Sequence, residues 1–316
     1  MSIDPVVAFF VLGLLAGLLR SDLKIPVALY ETLSIYLLLA IGLKGGIALA
    51  QMNVSDILLP SLVIILSAAL IPLFAFPILR YWGKLPRVDA GSIAAHYGSV
   101  SVVTYAVAVT YLLNKQVDYE GHMTVFLVFL EIPALLIGVV LARGVNNSTR
   151  WGVLIHEVLC GKAIVLLLGG LLIGCLADPN KMNALNTVYI DPFKGILSLF
   201  LLEMGLVTAS RFASVRSAGV FLIVFGITVP ICAALLGITT GYLLDLSLGG
   251  TTLLAVLYAS ASYIAAPATM RIAVPEANPA LSIGAALGIT FPFNIVLGIP
   301  LYYWLATQLY AYAGAH

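Results

Sequence analysis

Charged residues are scarce in this sequence. Only 9% of the 316 residues are Asp, Glu, Lys or Arg, whereas a soluble domain carries about 25%. The mean hydropathy is +1.10. So few charged side chains cannot cover a water-soluble globule of this size. We therefore predict a polytopic integral membrane protein surrounded by a lipid bilayer.

Cysteine is equally sparse, and so are the short motifs of enzyme active sites. Cys160, Cys175 and Cys232 lie far apart and form no Cys-x-x-Cys pair, which disfavours a disulfide or a zinc site. The sequence has no Gly-x-Ser-x-Gly elbow, no His-Glu-x-x-His motif and no phosphate-binding loop. With a net charge of +1, long-range attraction to nucleic acid is not expected. We predict no enzyme activity, no cofactor and no nucleic-acid partner.

Apolar runs fill most of the chain. A helix needs about 20 residues to cross the core of a bilayer, and ten runs are of suitable or slightly shorter length. Their predicted bounds are 6–20, 27–50, 57–80, 90–113, 123–143, 163–177, 188–210, 217–244, 250–273 and 281–309. No basic segment precedes the first run, so we interpret it as a span and not as a signal peptide. The expected fold class is an all-α membrane protein with ten transmembrane helices.

Lysine and arginine are concentrated in alternate loops, and the loops between them are neutral or acidic. The basic residues that follow the odd-numbered spans are Arg20, Lys24, Arg80, Lys84, Arg87, Arg143, Arg150, Lys162, Arg211, Arg216 and Arg271. Loops rich in Lys and Arg remain on the cytoplasmic side. We therefore predict a protein of the bacterial plasma membrane with both termini outside the cytoplasm.

The two halves of the chain resemble each other. "GLLAGLLRSD" (13–22) is similar to "GLLIGCLAD" (170–178), and "LLLAIGL" (37–43) is similar to "FLLEMGL" (200–206). Because each half has an odd number of spans, the second copy must enter the membrane upside down, as in many secondary transporters. We predict a first five-helix repeat at 1–143, a short cytoplasmic linker at 144–162 and an inverted second repeat at 163–316.

A Ser-x-Ser tract occurs in the middle of spans four and nine, within "HYGSVSVVTYA" (96–106) and "LYASASYIAAP" (257–267). Residues i and i+2 of a continuous helix point in different directions, so the two hydroxyls of a tract converge only if the helix is broken there. Gly98 would permit a break, and Pro267 suits the first turn of a helix that restarts. The alternative is that these small residues only permit close helix packing.

Inversion would make the two restarted helices present their N-termini to each other. A helix N-terminus carries a partial positive charge and unpaired N–H groups, so two opposed N-termini form a site for a small anion. The predicted substrate-binding residues are Gly98, Ser99, Val100 and Ser101 in span four and Ala259, Ser260, Ala261 and Ser262 in span nine. The same hydroxyls are suitable ligands for Na⁺, a cation that prefers oxygen.

Charged side chains inside spans are costly, so each is a candidate for function. Glu131 lies in the middle of span five, where it can ligate a cation, carry a proton or form structural hydrogen bonds. Thr290 and Asn294 occupy the corresponding region of the second repeat. Lys44 either forms an ion pair with Glu203 or extends to the outer interface, which we favour.

Three segments carry a family resemblance: "IGLKGGIAL" (41–49), "EIPAL" (131–135) and "ASASYIAAPATMRIAVPEANPALSIGAALGI" (259–289). They resemble the sodium-dependent bicarbonate transporter family, the SbtA-type permeases. The resemblance implies a homotrimer of ten-helix protomers, in which the two repeats interleave into a core domain and a gate domain. It also implies Na⁺-coupled uptake of bicarbonate, with the substrate held between the broken helices.

Two departures from the family pattern concern the ion and the regulator. Family members carry Asp after the second serine tract, where this chain has Tyr263, and Glu131 is a candidate to replace that carboxylate. The linker is shorter than in the family, so control by a PII-like partner protein is not assumed. The predicted Na⁺ ligands are Ser101, Thr104, Glu131, Ser262, Tyr263, Thr290 and Asn294.

Two other functions fit the same residues. A Na⁺/H⁺ exchanger would use Glu131 as its titrating group and would need no anion. A non-transporting membrane sensor would bind the anion without moving it. Na⁺-coupled symport of bicarbonate or a similar small anion by alternating access is the function that the sequence favours.

Overall fold

The computed structural model describes residues 4–52, 55–144, 151–177 and 185–314, and within these ranges it contains helices and loops but no strand. Its helices are α1 (Pro5–Leu18), α2 (Val27–Leu49), α3 (Ser55–Pro77), α4 (Arg87–Gly98), α5 (Val102–Asn114), α6 (Met123–Arg143), α7 (Trp151–Leu159), α8 (Lys162–Leu176), α9 (Phe193–Leu243), α10 (Leu248–Ala259), α11 (Ala265–Ala273) and α12 (Pro279–Ala313). A π-helical turn, Ile78–Trp82, continues α3, and two more, Ala286–Thr290 and Asn294–Gly298, lie within α12. The predicted all-α class is confirmed.

Seven stretches in the described residues are long and apolar enough to cross a membrane. They are Val27–Leu49, Ile57–Trp82, Arg87–Asn114, Met123–Arg143, Leu185–Phe212, Gly219–Leu243 and Pro279–Ala313. Three shorter apolar helices are Pro5–Leu18, Lys162–Leu176 and Leu248–Ala259. The chain is a multi-pass membrane protein. Each stretch overlaps one of the ten predicted spans, whereas the crossing of the bilayer by the short helices and the inverted topology stay predictions.

The stretch after predicted span seven continues as helix up to Gly219 and not as the expected loop. Gly219 has non-helical backbone angles, φ 82° and ψ 165°, and separates the two helical arms of α9. Nothing lies within 4 Å of a Cβ added at Gly219, so conformation and not packing requires the glycine. The side chain of Arg216, which we assigned to a basic loop, lies outside the described residues.

The predicted linker 144–162 also contains a helix. Gly144, with φ 78°, ends α6, and α7 packs against α8 and α11. Helix α7 therefore contacts the folded bundle, and the assignment of 144–162 as the linker between repeats stays a prediction. Residues 145–150, including Arg150, lie outside the described residues, as do residues 178–184.

Glycines bring two pairs of helices into close contact. α1 packs along the first arm of α9, with Gly13 directly against the backbone of Leu202. α2 packs along α8, where a Cβ on Gly42 would lie 2.6 Å from the carbonyl oxygen of Leu167. Small residues let backbones approach in this way inside membranes. Each pair joins a helix from the first half of the chain to one from the second.

Helices α4, α5 and α10 lie in the interior of the bundle. The most apolar part of Arg87–Asn114 is completely buried, in contrast to Ile57–Trp82, of which only a third is buried. α4 packs on α6 and α3, and α10 packs on the second arm of α9. The segments that carry the serine tracts are thus enclosed by protein and not exposed to lipid.

Candidate functional site

Both serine tracts interrupt their helices. α4 ends at Gly98 and α5 begins at Val102, while α10 ends at Ala259 and α11 begins at Ala265. Pro267 lies in the first turn of α11, as its position predicted. Irregular backbone at this depth is tolerated where it lies within protein or beside a cavity. The predicted breaks are therefore present at the predicted residues.

Gly98 has a different role from the one that we expected. Its φ lies outside the left-handed region, so the break does not need the conformational freedom of glycine. A Cβ at this position would instead lie 2.8 Å from Cδ of Pro72 and 2.9 Å from Cβ of Ala134. Gly98 is needed because α4 passes close to α3 and α6 just before it ends.

The two interrupted segments are bonded to each other. The backbone N–H of Ser101 donates to Oγ of Ser260 over 2.9 Å. The backbone N–H of Ser262 donates to the carbonyl oxygen of His96 over 2.8 Å. Each bond joins a residue of one tract region to a residue of the other, so the breaks form one structural unit.

A serine stands at the start of each restarted helix. Oγ of Ser101 accepts from the backbone N–H of Thr104, at 3.2 Å, and from its hydroxyl, at 2.9 Å. Oγ of Ser262 accepts from the backbone N–H of Ala266 at 3.2 Å. Ser101 is therefore the N-cap of α5, whereas Ser262, three residues before α11 begins, accepts from an N–H in the first turn of that helix. Other N–H groups of each first turn have no acceptor within their helix.

A small cavity lies where the two helices restart. Its lining comes from five segments and consists of Leu38, Val100, Ser101, Val102, Glu131, Ala163, Ser262, Tyr263 and Ile264. Residues from both breaks and the carboxylate of α6 thus face the same space. An apolar cavity lies beside it between α2, α5 and α9, lined by Ser34, Leu37, Leu38, Ile41, Val102, Val103, Ala106, Phe200 and Ile264.

Four buried polar atoms in this region lack hydrogen-bond partners. They are Oε2 of Glu131, Oγ of Ser99, Oη of Tyr263 and Nε2 of His96. Glu131 is only 1% exposed, and the hydroxyl of Tyr263 lies beside the Ser101 side chain without the geometry of a hydrogen bond. Burying such groups unpaired is costly, especially a carboxylate. The region is therefore suited to a small ligand that supplies the missing partners.

The structure brings together five of the predicted site residues: Val100, Ser101, Glu131, Ser262 and Tyr263 line the cavity. Six others lie in or next to the breaks without lining it, namely Gly98, Ser99, Thr104, Ala259, Ser260 and Ala261. Thr104 contacts the site through Ser101, and Ser260 through its bond to the same residue.

Thr290 and Asn294, which we predicted as Na⁺ ligands, are not brought to the cavity. The hydroxyl of Thr290 donates to the Gly226 carbonyl and also bonds with Oη of Tyr97, each at 2.7 Å. Asn294 donates to the Ala259 carbonyl at 2.8 Å and accepts from Tyr302. In this conformation both side chains hold α12 against its neighbours.

Sequence reasoning missed the apolar lining of the site. Leu38, Ala163 and Ile264 face the cavity, but nothing in their residue types distinguishes them from other apolar residues of the spans. Of the two alternatives for Lys44, the less favoured one, an ion pair with Glu203, is not formed. The ammonium of Lys44 lies 4.4 Å from the centre of the Phe193 ring instead.

The donor set of the site favours a hard monovalent cation over a transition metal. No three His, Cys, Asp or Glu side chains cluster anywhere in the described ranges. The cavity offers one carboxylate and hydroxyls, and oxygen donors of this kind suit Na⁺ better than the nitrogen and sulfur ligands of zinc sites do.

One comparison with known proteins gives a match, and that match covers nearly the whole chain. A search of curated proteins found no match. The sequence model of the Na⁺-dependent bicarbonate transporter superfamily matches residues 5–307. The match includes both serine tracts, Glu131 and the cavity between them. The chain therefore belongs to the Na⁺-dependent bicarbonate transporter superfamily.

Proposed function

We propose that this protein is a secondary active transporter that couples Na⁺ to the symport of bicarbonate or a similar small anion by alternating access. Membership of the superfamily supports the substrate class. The observation that carries the proposal is the single cavity in which Glu131 faces the ends of both interrupted segments. It offers oxygen ligands for a cation beside N–H donors for an anion.

The anion is bound by the starts of α5 and α11. Val102 and Ile264 line the cavity at these helix ends, where N–H groups have no intrahelical acceptor. Two positively polarised helix ends on opposite sides of one space stabilise a single negative charge without a buried Lys or Arg. Ser99, whose buried hydroxyl has no partner, is available to donate a further hydrogen bond.

The cation is bound on the side of Glu131. The carboxylate, the hydroxyls of Ser101 and Ser262, and the hydroxyl of Tyr263 provide oxygen ligands around the same space. Thr104 acts on Ser101, because its N–H and its hydroxyl both donate to Oγ of Ser101 and occupy the two lone pairs of that oxygen. Na⁺ would displace one of these bonds when Ser101 ligates it. Thr290 and Asn294 would ligate Na⁺ only if α12 moved.

Coupling follows from the sign of the charge in the cavity. An ionised Glu131 repels an anion, and the repulsion is strong because the site is buried. A cation that binds first neutralises the carboxylate and allows the anion to bind. By thermodynamic linkage, the bound anion raises the affinity for the cation by the same factor.

The inverted-repeat topology, with repeats at 1–143 and 163–316 and both termini outside the plasma membrane, is part of this proposal. Matching contacts in the two halves support it. Tyr258 of α10 donates to the Ile64 carbonyl at 2.9 Å, and Tyr97 of α4 reaches the Gly226 carbonyl through the hydroxyl of Thr290. A homotrimer, as the family resemblance implies, completes the proposed assembly.

Reconstituted vesicles provide the test. Purified protein in proteoliposomes should take up ¹⁴C-bicarbonate when Na⁺ is outside, and should take up much less when K⁺ replaces it. Ser101→Ala and Ser262→Ala should reduce uptake, whereas Ser198→Ala should not, because Ser198 bonds only to the backbone of its own helix in α9. Uptake no greater than in empty vesicles, with a verified Na⁺ gradient, would contradict the proposal.

Na⁺/H⁺ exchange is the second candidate, and the unbonded oxygen of the buried Glu131 favours it. An exchanger would move protons in a Na⁺ gradient without bicarbonate. A pH-sensitive dye inside bicarbonate-free vesicles distinguishes the two functions, because only exchange changes the internal pH there. Anion-dependent thermal stabilisation without any flux would instead indicate a sensor.

A further inference from the structure

Two lysines lie close together at the end of the bundle where α1 begins and α5 ends. The ammonium of Lys44 of α2 lies 4.4 Å from the centre of the Phe193 ring of α9, and Lys194 is the next residue after Phe193. Lys194 is exposed and donates to Oδ1 of Asn114 at 3.0 Å. Lys44 is half-buried, and no carboxylate pairs with it among the residues that the structure describes. Two neighbouring ammonium groups repel each other unless an anion lies between them or beside them.

Lys44 is placed directly beyond the cavities. Leu37 and Ile41, which line the apolar cavity, precede it by seven and three positions and share its face of α2. On α9, Phe193 lies two turns before Phe200, which lines the same cavity. The Lys44–Phe193 contact therefore lies beyond one end of the apolar cavity. We call the space between α2 and α9 that contains this cavity the groove.

The two cavities adjoin each other. The apolar cavity and the cavity beside Glu131 share Leu38, Val102 and Ile264 in their linings. A small solute that passed Lys44 would thus meet the apolar cavity first and the starts of α5 and α11 next.

We propose that Lys44 and Lys194 form a capture site for a small monovalent oxyanion at the mouth of the groove between α2 and α9. The inference rests on the proposed anion transport and adds a binding site outside the cavity. The lysines raise the local anion concentration at the mouth, and the anion then moves inward past the Phe193 ring.

Acidic groups also lie at this end of the bundle. Asp4 is engaged with Asn114 and with the N–H of Val6, and Asp191 interacts with Tyr36. These carboxylates repel an approaching anion. The N-terminus of α9, whose second residue is Lys194, adds positive potential at the mouth. The positive potential that attracts an anion is therefore concentrated where the groove opens.

Chemical labelling tests the capture site without transport. The intact protein is treated with an amine-acylating reagent, and the modification of each lysine is measured by mass spectrometry. We expect bicarbonate to slow the acylation of Lys44 but not that of Lys115, which lies at the end of α5 near a tyrosine ring, 5.9 Å from its centre. Equal effects of bicarbonate and gluconate at matched ionic strength, or no effect on Lys44, would overturn the proposal.

Uptake kinetics provide the second test. Lys44→Gln should raise the bicarbonate concentration at half-maximal uptake about three- to tenfold at low salt, with little change in the maximal rate, because steering charges act mainly on association. Lys44→Arg should restore it, and Lys115→Gln should leave it unchanged. The deficit of Lys44→Gln should shrink at high ionic strength. If Lys44→Gln reaches half-maximal uptake at the same bicarbonate concentration as Lys115→Gln, the capture site is overturned. If the wild-type protein shows no uptake, the proposed function is refuted instead, and the labelling experiment alone decides the capture site.

Discussion

The backbone N–H of Ser101 and the hydroxyl of Ser260 are hydrogen-bonded across 159 positions of sequence. The Ser260 hydroxyl also donates to the Leu257 carbonyl at 2.8 Å. One hydroxyl therefore bonds both to the last turn of α10 and to the residue that precedes α5. The second serine tract is therefore required for the geometry of the first. This dependence leads to the first prediction.

Ser260→Ala should destabilise the protein by about 1–3 kcal/mol, because it leaves the buried N–H of Ser101 without an acceptor. Thermal unfolding in detergent measures the loss, and bicarbonate uptake should fall with it. Ser198→Ala is the control, since its hydroxyl bonds only to the Lys194 carbonyl. Equal stability of the two variants would show that the bond between the breaks contributes little.

Glu131→Gln should abolish stabilisation by Na⁺. A ligand present at 100 times its dissociation constant stabilises the folded state by about 2.7 kcal/mol, and we expect the wild-type melting temperature to be higher in Na⁺ than in K⁺. The variant should melt at the same temperature in both salts. Glu203→Gln, also a mid-span carboxylate but outside the cavity lining, should keep the difference. A Na⁺ effect that survives in Glu131→Gln would move the cation site elsewhere.

Tyr263→Phe should change ion dependence without changing stability. The hydroxyl of Tyr263 forms no hydrogen bond, so its removal costs no bond, but a Na⁺ ligand is lost and more Na⁺ should be needed for half-maximal uptake. Tyr302→Phe is the matched comparison, because Tyr302 donates to Asn294 at 2.7 Å in the interior. That variant should lose about 1–3 kcal/mol and keep its Na⁺ requirement. The reverse pattern would remove Tyr263 from the ion site.

Gly98→Ala should destabilise the protein by about 1–3 kcal/mol, because its Cβ overpacks the contact with Pro72 and Ala134. Gly169→Ala, in α8, should be neutral or stabilising, since nothing lies within 4 Å of its added Cβ and alanine favours the helix. Chemical unfolding of both variants gives the comparison. If Gly98→Ala is as stable as Gly169→Ala, α4 can shift without cost and the tight packing is not required.

The sequence predicted helix positions well where long apolar runs ended at clear boundaries. The predicted spans 27–50 and 123–143 nearly coincide with Val27–Leu49 and Met123–Arg143. The continuation of the helix up to Gly219 was not predicted. Basic residues between two apolar runs usually mark a loop, but they are equally compatible with a helix that extends beyond its span. The same holds for α7.

The site was predictable only in part. Serine tracts and a mid-span glutamate are rare enough in apolar segments to be noticed, and Ser101, Ser262 and Glu131 do face one cavity. Thr290 and Asn294, predicted as Na⁺ ligands, do not line this cavity but bond to the Gly226 and Ala259 carbonyls, and these tertiary partners could not be inferred from residue type. The Lys44–Phe193 contact depends on tertiary packing alone.

The glycine contacts of α1 with α9 and of α2 with α8 have a consequence for biosynthesis. When α1 and α2 have left the ribosome, more than a hundred further residues must be synthesised before their partner helices follow. At about 5–20 residues per second, the first two helices reside in lipid for on the order of ten seconds before those partners are inserted. During this interval their glycine-lined faces are open to other chains, so we expect the nascent protein to be most vulnerable to mispairing and quality-control proteolysis at that stage.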